Sequence, residues 1–367
     1  MRITAVTTWL PTEVAPSRGS FVVRDLHSIA RHHDVRIVHL VPPQDDDQTR
    51  RLSIEGIETL RIPMNPRRPD SILWASKQLR AALVNADIVH SMAFSSLLPL
   101  SLRGPRCPWV HTEHWSAITS PGTLPAAAQA ALPAVLQLLA RPTTVTAVCE
   151  YLATPIRQVR GTRPTTVVPC VVDPHPLDER RDRSDGQLRL ISTGGLIDRK
   201  DPLVAVRTVA ELVVRGVDAH LDWVGEGPLR AEVDALATQL GISSRILLLG
   251  SKSPTEVRAA LGAADLFFGP TKADNFFVSA AEAIVAGRPV VLGSTGGQGE
   301  YVDPSIGALI GVQSPGAYAD AIQDVDRRTR DLSSEQISAT IGDAFSTETV
   351  GRGYAETYEQ VRRPPVT

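Results

Sequence analysis

Short β-branched runs alternate with helical patterns along the first half of this chain. "RITAVTTWL" is followed by Phe21 to Ala30, with apolar residues at helical intervals, and then by "DVRIVHLVP". Strand, amphipathic helix and strand in succession form the repeating unit of a parallel sheet covered by helices, so the alternation dictates an α/β fold. "ADIVHSM", "PWVHTEH", "TTVTAV" and "TTVVPCVVD" read as further strands. A polar stretch, "PHPLDERRDRSDG", then intervenes with proline and glycine at its ends. The alternation restarts after it: "LRLISTGGL", a helix from Pro202 to Arg215, "DAHLDWVG", a helix from Leu229 to Leu240, "SRILLLG" and "ADLFFGP". Two doubly wound, Rossmann-like domains are therefore expected, over 1–173 and 188–344, with a linker at 174–187. A C-terminal helix over 345–367 is expected to cross back to the first domain. Strand C-termini in such sheets carry the ligand-binding loops, so two halves predict a central cleft.

The composition supports two cores and excludes several functions. With 43% hydrophobic residues, the chain has the apolar material that a disordered one lacks. Its 38 basic and 40 acidic residues nearly cancel, leaving no general attraction for nucleic acid or an anionic membrane. An anionic ligand must then be met by a local site. Only four of the basic residues are lysines (Lys77, Lys200, Lys252, Lys272), an arginine bias that fits GC-rich, actinobacterial coding. Three cysteines without metal-ligand spacing argue for a reduced chain with no Cys-rich zinc site. No apolar run reaches the span of about 18 residues expected of a transmembrane helix, and "MRITAVTTWLPTE" is too short in apolar residues for a signal peptide. A cytoplasmic protein without a transmembrane segment is the expectation. Asp324 and Asp326 imitate a metal motif, but "YADAIQDVDRRTR" reads as an amphipathic helix, so no metal is expected there. "VGEGPLR" is no dinucleotide fingerprint, and no cofactor is expected.

The stretch "TKADNFFVSAAEAIVAGRPVV" carries the richest chemistry. It runs from a predicted strand into a helix stopped by Gly287 and Pro289. Asn275 is placed to cap that helix, which would gather the amides near Phe276, Phe277 and Val278 at a positive helix end suited to phosphate. Asp274 and Glu282 flank that end, and carboxylates accept hydrogen bonds from neutral polyols. The spacing alone favours a plainer reading, in which Asp274 helps cap the helix and Glu282 is an ordinary exposed helical acid.

The order strand, acid, Asn-Phe, acid-alanine and Ala-Gly-Arg-Pro-Val resembles the E-x7-E signature of the family 4 glycosyltransferases, retaining enzymes of GT-B architecture, here written D-x7-E. "TGGLIDRKDPLVAV" is similar to the family's glycine-rich first strand of the nucleotide domain, and "VGEGPLRAEVDALATQLGI", "RILLLGSKSPTEVRAAL" and "GSTGGQGEYV" to the units around it. "DIVHSM", "VHTEHWS" and "VVPCVVD" resemble corresponding parts of the first domain. The resemblance implies a nucleoside diphosphate sugar as donor, UDP foremost, and metal-independent transfer to a small-molecule or glycoconjugate acceptor, such as an antibiotic aglycone or aminocyclitol. It puts Lys200 at the diphosphate behind Gly194 and Gly195, Asp274 at the sugar and Glu282 at the ribose. His114 falls beside the donor sugar and incoming hydroxyl, with His90 a second candidate, while His111 and Glu113 face elsewhere. Gly19 matches a glycine that lets backbone approach the phosphates or acceptor. Three positions depart from the pattern. Gly195 replaces an arginine, for which Arg199 compensates, Asp274 replaces a glutamate, and the bulky Phe277 replaces a glycine. The departures at Gly195 and Asp274 keep one rival in view, a degenerate nucleotide-binding partner protein, and the shared scaffold another, a nucleotide-sugar epimerase.

Overall fold

The computed structural model describes residues 1–16 and 18–362, and the chain forms two compact units. Unit 1 comprises Met1–Val171 and the segment from Phe345 onward, and unit 2 comprises Val172–Ala344.

Unit 1 is built on an eight-stranded sheet of β1 (Arg2–Thr7), β2 (Asp34–Val41), β3 (Arg51–Ile54), β4 (Ile57–Pro63), β5 (Ile88–Met92), β6 (Trp109–Glu113), β7 (Thr144–Ala147) and β8 (Thr165–Val167). The strand order is β3-β4-β2-β1-β5-β6-β7-β8. All pairs are parallel except β3 with β4, a hairpin that the strand pattern above does not include. Its turn is Glu55-Gly56, both with positive φ (47° and 85°), the conformation that matches the twist of two antiparallel strands. The helix Ser20–Ala30 buries Val22, Leu26 and Ile29 on the sheet. Across it lies the helix Thr347–Arg362, which places the C-terminal segment in unit 1. The approach is close enough that a Cβ on Gly351 would lie 2.7 Å from the Ser28 carbonyl oxygen. Residues 363–367 of the expected C-terminal helix lie outside the described residues.

Unit 2 is a six-stranded parallel sheet of β9 (Leu188–Thr193), β10 (Ala219–Val224), β11 (Ile246–Gly250), β12 (Leu266–Gly269), β13 (Val290–Gly293) and β14 (Gly307–Ile310). Its order, β11-β10-β9-β12-β13-β14, is the doubly wound arrangement, reversing direction between β9 and β12. Leu190, Leu221, Trp223, Phe268 and Val291 form its core with Val206, Val209 and Tyr318 from the covering helices. The charged stretch 174–187 contains no helix or strand, but its arginines strap it onto this unit. Arg180 donates to the carbonyls of Thr329 and Leu332, Arg181 to Asp265 at 3.0 Å, and Arg183 to Asp326. The residues that give it a linker's polarity are those that fix it in place.

Candidate active site

Where β9 and β12 lie side by side, their chains leave in opposite directions and open a crevice at the strand C-termini, the usual ligand position in such sheets. The chain leaves β9 through Gly194, whose φ of 135° suits glycine and whose carbonyl accepts a 2.8 Å bond from Trp223 Nε1. Gly195 has no such backbone demand. A Cβ there would meet the Glu226 oxygen at an ordinary 3.5 Å, so the position has room for a side chain and carries none. A short 3₁₀ turn, Asp198–Lys200, follows, and then the helix Pro202–Val214. The loop after β12 is stitched to this turn. Lys272 N and Thr271 Oγ1 both donate to the Arg199 carbonyl, at 2.9 and 3.1 Å, and Lys272 Nζ reaches Asp198 at 2.6 Å.

Three predicted site residues converge at this junction. Arg199 Nη1 and Lys200 Nζ each donate to Asp274 Oδ2 at 2.7 Å, and Arg199 Nη1 also bonds the Ala273 carbonyl at 3.0 Å. The Lys200 and Asp274 side chains are 12% and 18% exposed, so charge is concentrated where little water screens it. Burial pushes the Asp274 carboxyl up, but the attraction and hydrogen bonds of Lys200 and Arg199 outweigh it and hold the group below its usual range. For Lys200, burial is the larger effect and lowers the ammonium from its ordinary value, with Asp274 opposing and Arg199 reinforcing. The asymmetry follows from numbers: the carboxylate has two cations, and the ammonium shares one anion with a competing guanidinium.

Lys200 Nζ also stands 3.7 Å from the centroid of the Phe277 ring, a cation–π contact. Phe277 adopts a left-handed conformation with φ 45°, which costs a non-glycine residue about 1–2 kcal/mol. Burial against Phe267, at 5.9 Å between centroids, offsets that strain. Gly269 makes the space, since a Cβ there would lie 2.7 Å from Phe277 Cζ.

The helix after this loop is Val278–Val285, and Phe277, not Asn275, is its N-cap. No side chain caps it, so the expected Asn275 cap is corrected: the left-handed turn at Phe277 starts the helix two residues later. Asn275 and Phe276 are buried, and Phe276 packs on Tyr301 at 5.4 Å. The Tyr301 hydroxyl donates to the Phe276 and Phe277 carbonyls at 3.1 and 2.9 Å, fixing the loop from below. The first-turn N–H groups at Val278 and Ser279 have no intrahelical acceptor, as at any helix start. Glu282 is half-buried on this helix, one turn in. Gly296 closes the loop's far side, where a Cβ would sit 1.9 Å from the Asp274 carbonyl oxygen.

In unit 1, Gly19 has φ 68°, and a Cβ would lie 2.4 Å from the Trp9 carbonyl oxygen. The close approach that requires glycine is thus to the chain's own first loop. His114 follows β6, with its ring packed on Phe21 at 4.8 Å between centroids. Burial lowers the imidazole to about 4, with Glu113 opposing and His111 adding. His90 is wholly buried, its Nδ1 bonded to the Tyr358 hydroxyl at 2.7 Å and Nε2 to Thr112 at 2.6 Å, which makes it part of the core. His111 Nε2 meets Glu113 at 3.1 Å, and the other Glu113 oxygen accepts the amides of His114 and Trp115 at 2.8 and 2.7 Å. Glu113 therefore shapes the backbone that carries His114.

Asp25 was missed by the sequence reading. It is wholly buried beneath His114, and its signal was an acid on the apolar face of Phe21 to Ala30, three residues from Val22 and four from Ile29. Asp324 is paired with Arg327 and Arg328, and Asp326 with Arg183 and Arg330. Among the described residues there is no cluster of three or more metal-ligating side chains, and no helix is long and apolar enough to cross a membrane.

Two family profiles match: "Glycosyltransferase Family 4" over residues 23–175 and "Glycosyl transferases group 1" over 177–335. The 2-deoxystreptamine glucosyltransferase of Streptomyces kanamyceticus is 29% identical over 206 residues, 52% of this chain and 52% of that protein. The D-inositol 3-phosphate glycosyltransferase of Corynebacterium glutamicum is 33% identical over 136 residues, 35% and 32% of the two chains. The chain thus spans about half or less of the length of these curated relatives. Among solved structures, sucrose-phosphate synthase from Thermosynechococcus elongatus superposes with a TM-score of 0.82 at 18% identity, covering 98% of this chain and 99% of that one. Anabaena HepE, solved with UDP and glucose, gives 0.75 at 17% identity, with 98% and 99% coverage. By its two consecutive family matches and its pair of Rossmann-like sheets, the chain belongs to the family 4 glycosyltransferases and has their GT-B fold.

Proposed function

We propose that this chain transfers a sugar, with retention of configuration and without a metal, from a nucleoside diphosphate sugar to the hydroxyl of a small polyol. The observation that carries the proposal is the convergence of Arg199 and Lys200 on Asp274 at the β9/β12 crevice. Two cations beside a helix N-terminus suit a diphosphate. Arg199 then supplies the guanidinium that the family carries at Gly195. As the diphosphate takes up these cations, the Asp274 carboxylate turns to the sugar hydroxyls, and Glu282 holds the ribose. The bond from the sugar to the departing phosphate lengthens, the acceptor oxygen bonds the same face, and its proton passes to the leaving phosphate. Lys200 stabilises the charge that develops there. In unit 1, His114 hydrogen-bonds a sugar hydroxyl or the reacting hydroxyl.

UDP is the favoured nucleotide. The relatives' names include a deoxystreptamine and an inositol phosphate, both polyhydroxylated rings, which favours an aminocyclitol or related cyclitol acceptor. Calorimetry with UDP, GDP, ADP and dTDP, followed by mass spectrometry of transfer to 2-deoxystreptamine and inositol phosphate with chelator present, tests the reading. Absence of any nucleoside diphosphate binding overturns it. A second reading, a nucleotide-binding partner without transfer, is favoured by the engagement of Asp274 with both cations. It predicts that UDP binds while no UDP-sugar is consumed on prolonged incubation.

A further inference from the structure

The helix Ser20–Ala30 presents Phe21 and Asp25, one turn apart on one face, to the residue that follows β6. The Phe21 ring packs on the His114 imidazole, and Asp25 Oδ2 stands 3.8 Å from His114 Nε2. Both side chains are shut away from water, Asp25 completely and His114 to 6% exposure. The Tyr354 hydroxyl donates to Asp25 Oδ2 over a long 3.4 Å, and among the described residues Asp25 Oδ1 has no hydrogen-bond partner. A carboxyl buried with so few partners is costly, and a solvent-facing position on the same helix would avoid that cost.

We propose that Asp25 is a positioning residue for His114: its carboxyl meets Nε2, decides which ring nitrogen carries the proton, and so sets whether Nδ1 gives or accepts a hydrogen bond. This rests on the reading that His114 serves the transfer. As a carboxylate, Asp25 accepts from Nε2–H, and Nδ1 then carries no hydrogen and can only accept one. As a carboxylic acid, it donates to Nε2, and Nδ1 then carries the hydrogen. One proton on Asp25 reverses the hydrogen-bonding sense of the imidazole. The present gap is wider than a hydrogen bond, and contacts of this kind tighten when substrate is bound.

The Asp25 carboxyl is moved into the neutral range. Burial raises it to about 7, against the opposing pull of Arg24, the Val171 backbone and the Tyr354 hydroxyl. The other titratable and charged groups around the pair are His111 and Glu113 on β6, His90 on β5, and Tyr354 and Tyr358 on the C-terminal helix. Burial holds His90 at about 3 and pushes both phenols well above their usual value, so these three stay neutral near pH 7.

The imidazole nitrogen shifts of His114, assigned with His114→Gln, are to be followed by long-range ¹H–¹⁵N correlation from pH 5.5 to 8.5 in the parent and in Asp25→Asn. The parent is expected to exchange its Nδ1 and Nε2 shift patterns across this range, and Asp25→Asn to hold one pattern throughout. A parent that shows no exchange, or an Asn variant that titrates like it, overturns the proposal. In transfer assays, Asp25→Asn is expected to lower kcat about tenfold, a fraction of what a full acid–base group supplies, and to flatten the pH profile near neutrality. Its KM for donor should change less than kcat, because the proposed diphosphate and ribose contacts of Lys200, Arg199 and Glu282 are untouched. In a His114→Gln background the Asn substitution should add nothing, and an equal loss there overturns the proposal by showing that Asp25 acts on the fold. If His114→Gln alone transfers at the parent rate, the functional reading of His114 fails, and the nitrogen shifts decide the pairing by themselves. A thermal melt of Asp25→Asn confirms that the variant being compared is folded.

Discussion

Replacing Asp274 with asparagine isolates what its carboxylate does for Arg199 and Lys200. In the parent each cation makes one bond of 2.7 Å to Oδ2. A hydrogen bond involving an ionised partner contributes about 1.5–3 kcal/mol and a neutral one about 0.5–1.5 kcal/mol, so each cation loses roughly 1 kcal/mol when it faces an amide. Arg199, at 27% exposed, is the more screened of the two and sits at the lower end. Unit 2 should then lose about 1–2 kcal/mol, a fall in Tm of about 2–8 °C for a unit of this size. UDP should respond in the opposite direction. On the proposed reading its diphosphate competes with Asp274 for the same two cations, and weakening the competitor by about 1–2 kcal/mol should tighten UDP about five- to thirtyfold. Transfer should fall by a factor of about 10² or more, because the proposed anionic partner of the sugar hydroxyls is gone.

Calorimetry with UDP at low salt, a melting curve and a product assay read these three effects on one preparation. Tighter UDP, a lower Tm and lost transfer are the joint expectation. UDP that binds no more tightly to the variant than to the parent refutes the competition. The pH dependence gives a further check. The folded state holds the Asp274 carboxyl below its usual 3.8, so its contribution is fully present above that value and is lost only as pH falls further. The stability difference between parent and variant should therefore stay level from about pH 5 to 8.

Lys200→Ala should weaken UDP by about 1.5–3 kcal/mol while uridine binding, measured by the same calorimetry, changes little. Glu282→Gln should raise the donor KM more than it lowers kcat, as expected when a ribose contact is equally present in ground and transition states, and steady-state kinetics check this. Tyr358→Phe removes the partner of buried His90 Nδ1 and should cost unit 1 about 1–3 kcal/mol in a denaturant titration. Burial lowers His90 to about 3 and His39 and His114 to about 4, so the unfolded chain binds more protons below the ordinary 6.5. Stability should hence fall as pH drops from about 6.5 toward 4, with the raised Asp25 opposing but outnumbered, and denaturation midpoints across that range test it.

The alternation of short strands and helices made most of both sheets legible, because each strand needs only its own residues to declare a buried, β-branched run, although β13 and β14 were not among the strands read. The β3–β4 hairpin was less so. Its signal was a two-residue Glu-Gly turn, and a non-glycine residue with positive φ is an uncommon choice at the first turn position. The start of the helix Val278–Val285 was misplaced for a related reason. Asn275 has the right chemistry for a cap, but the left-handed turn at Phe277 is held by Phe267 and Gly269 on the preceding strand and by Lys200 from a distant turn, none of them in the helix itself. Asp25 looked like any helical acid until His114 and Tyr354, from two other elements, were seen to enclose it.

The three departures from the family pattern look independent along the chain, and in space they meet. Gly195 leaves room where a side chain would fit, and the guanidinium of Arg199, four residues on, lies beside Lys200 on the same carboxylate oxygen. That carboxylate belongs to Asp274, whose main chain is fixed on both sides, by its own N–H to Thr295 and by the close approach of Gly296. With the backbone pinned, side-chain length decides how far the carboxylate reaches, and aspartate ends where both cations meet. Phe277 closes the arrangement from beneath, its ring filling the space over Gly269 and supporting the ammonium of Lys200. Restoring one family residue alone, such as glutamate at 274, would push the charge about one methylene past a junction that the other two departures have shaped, so the three positions are expected to couple and not to add.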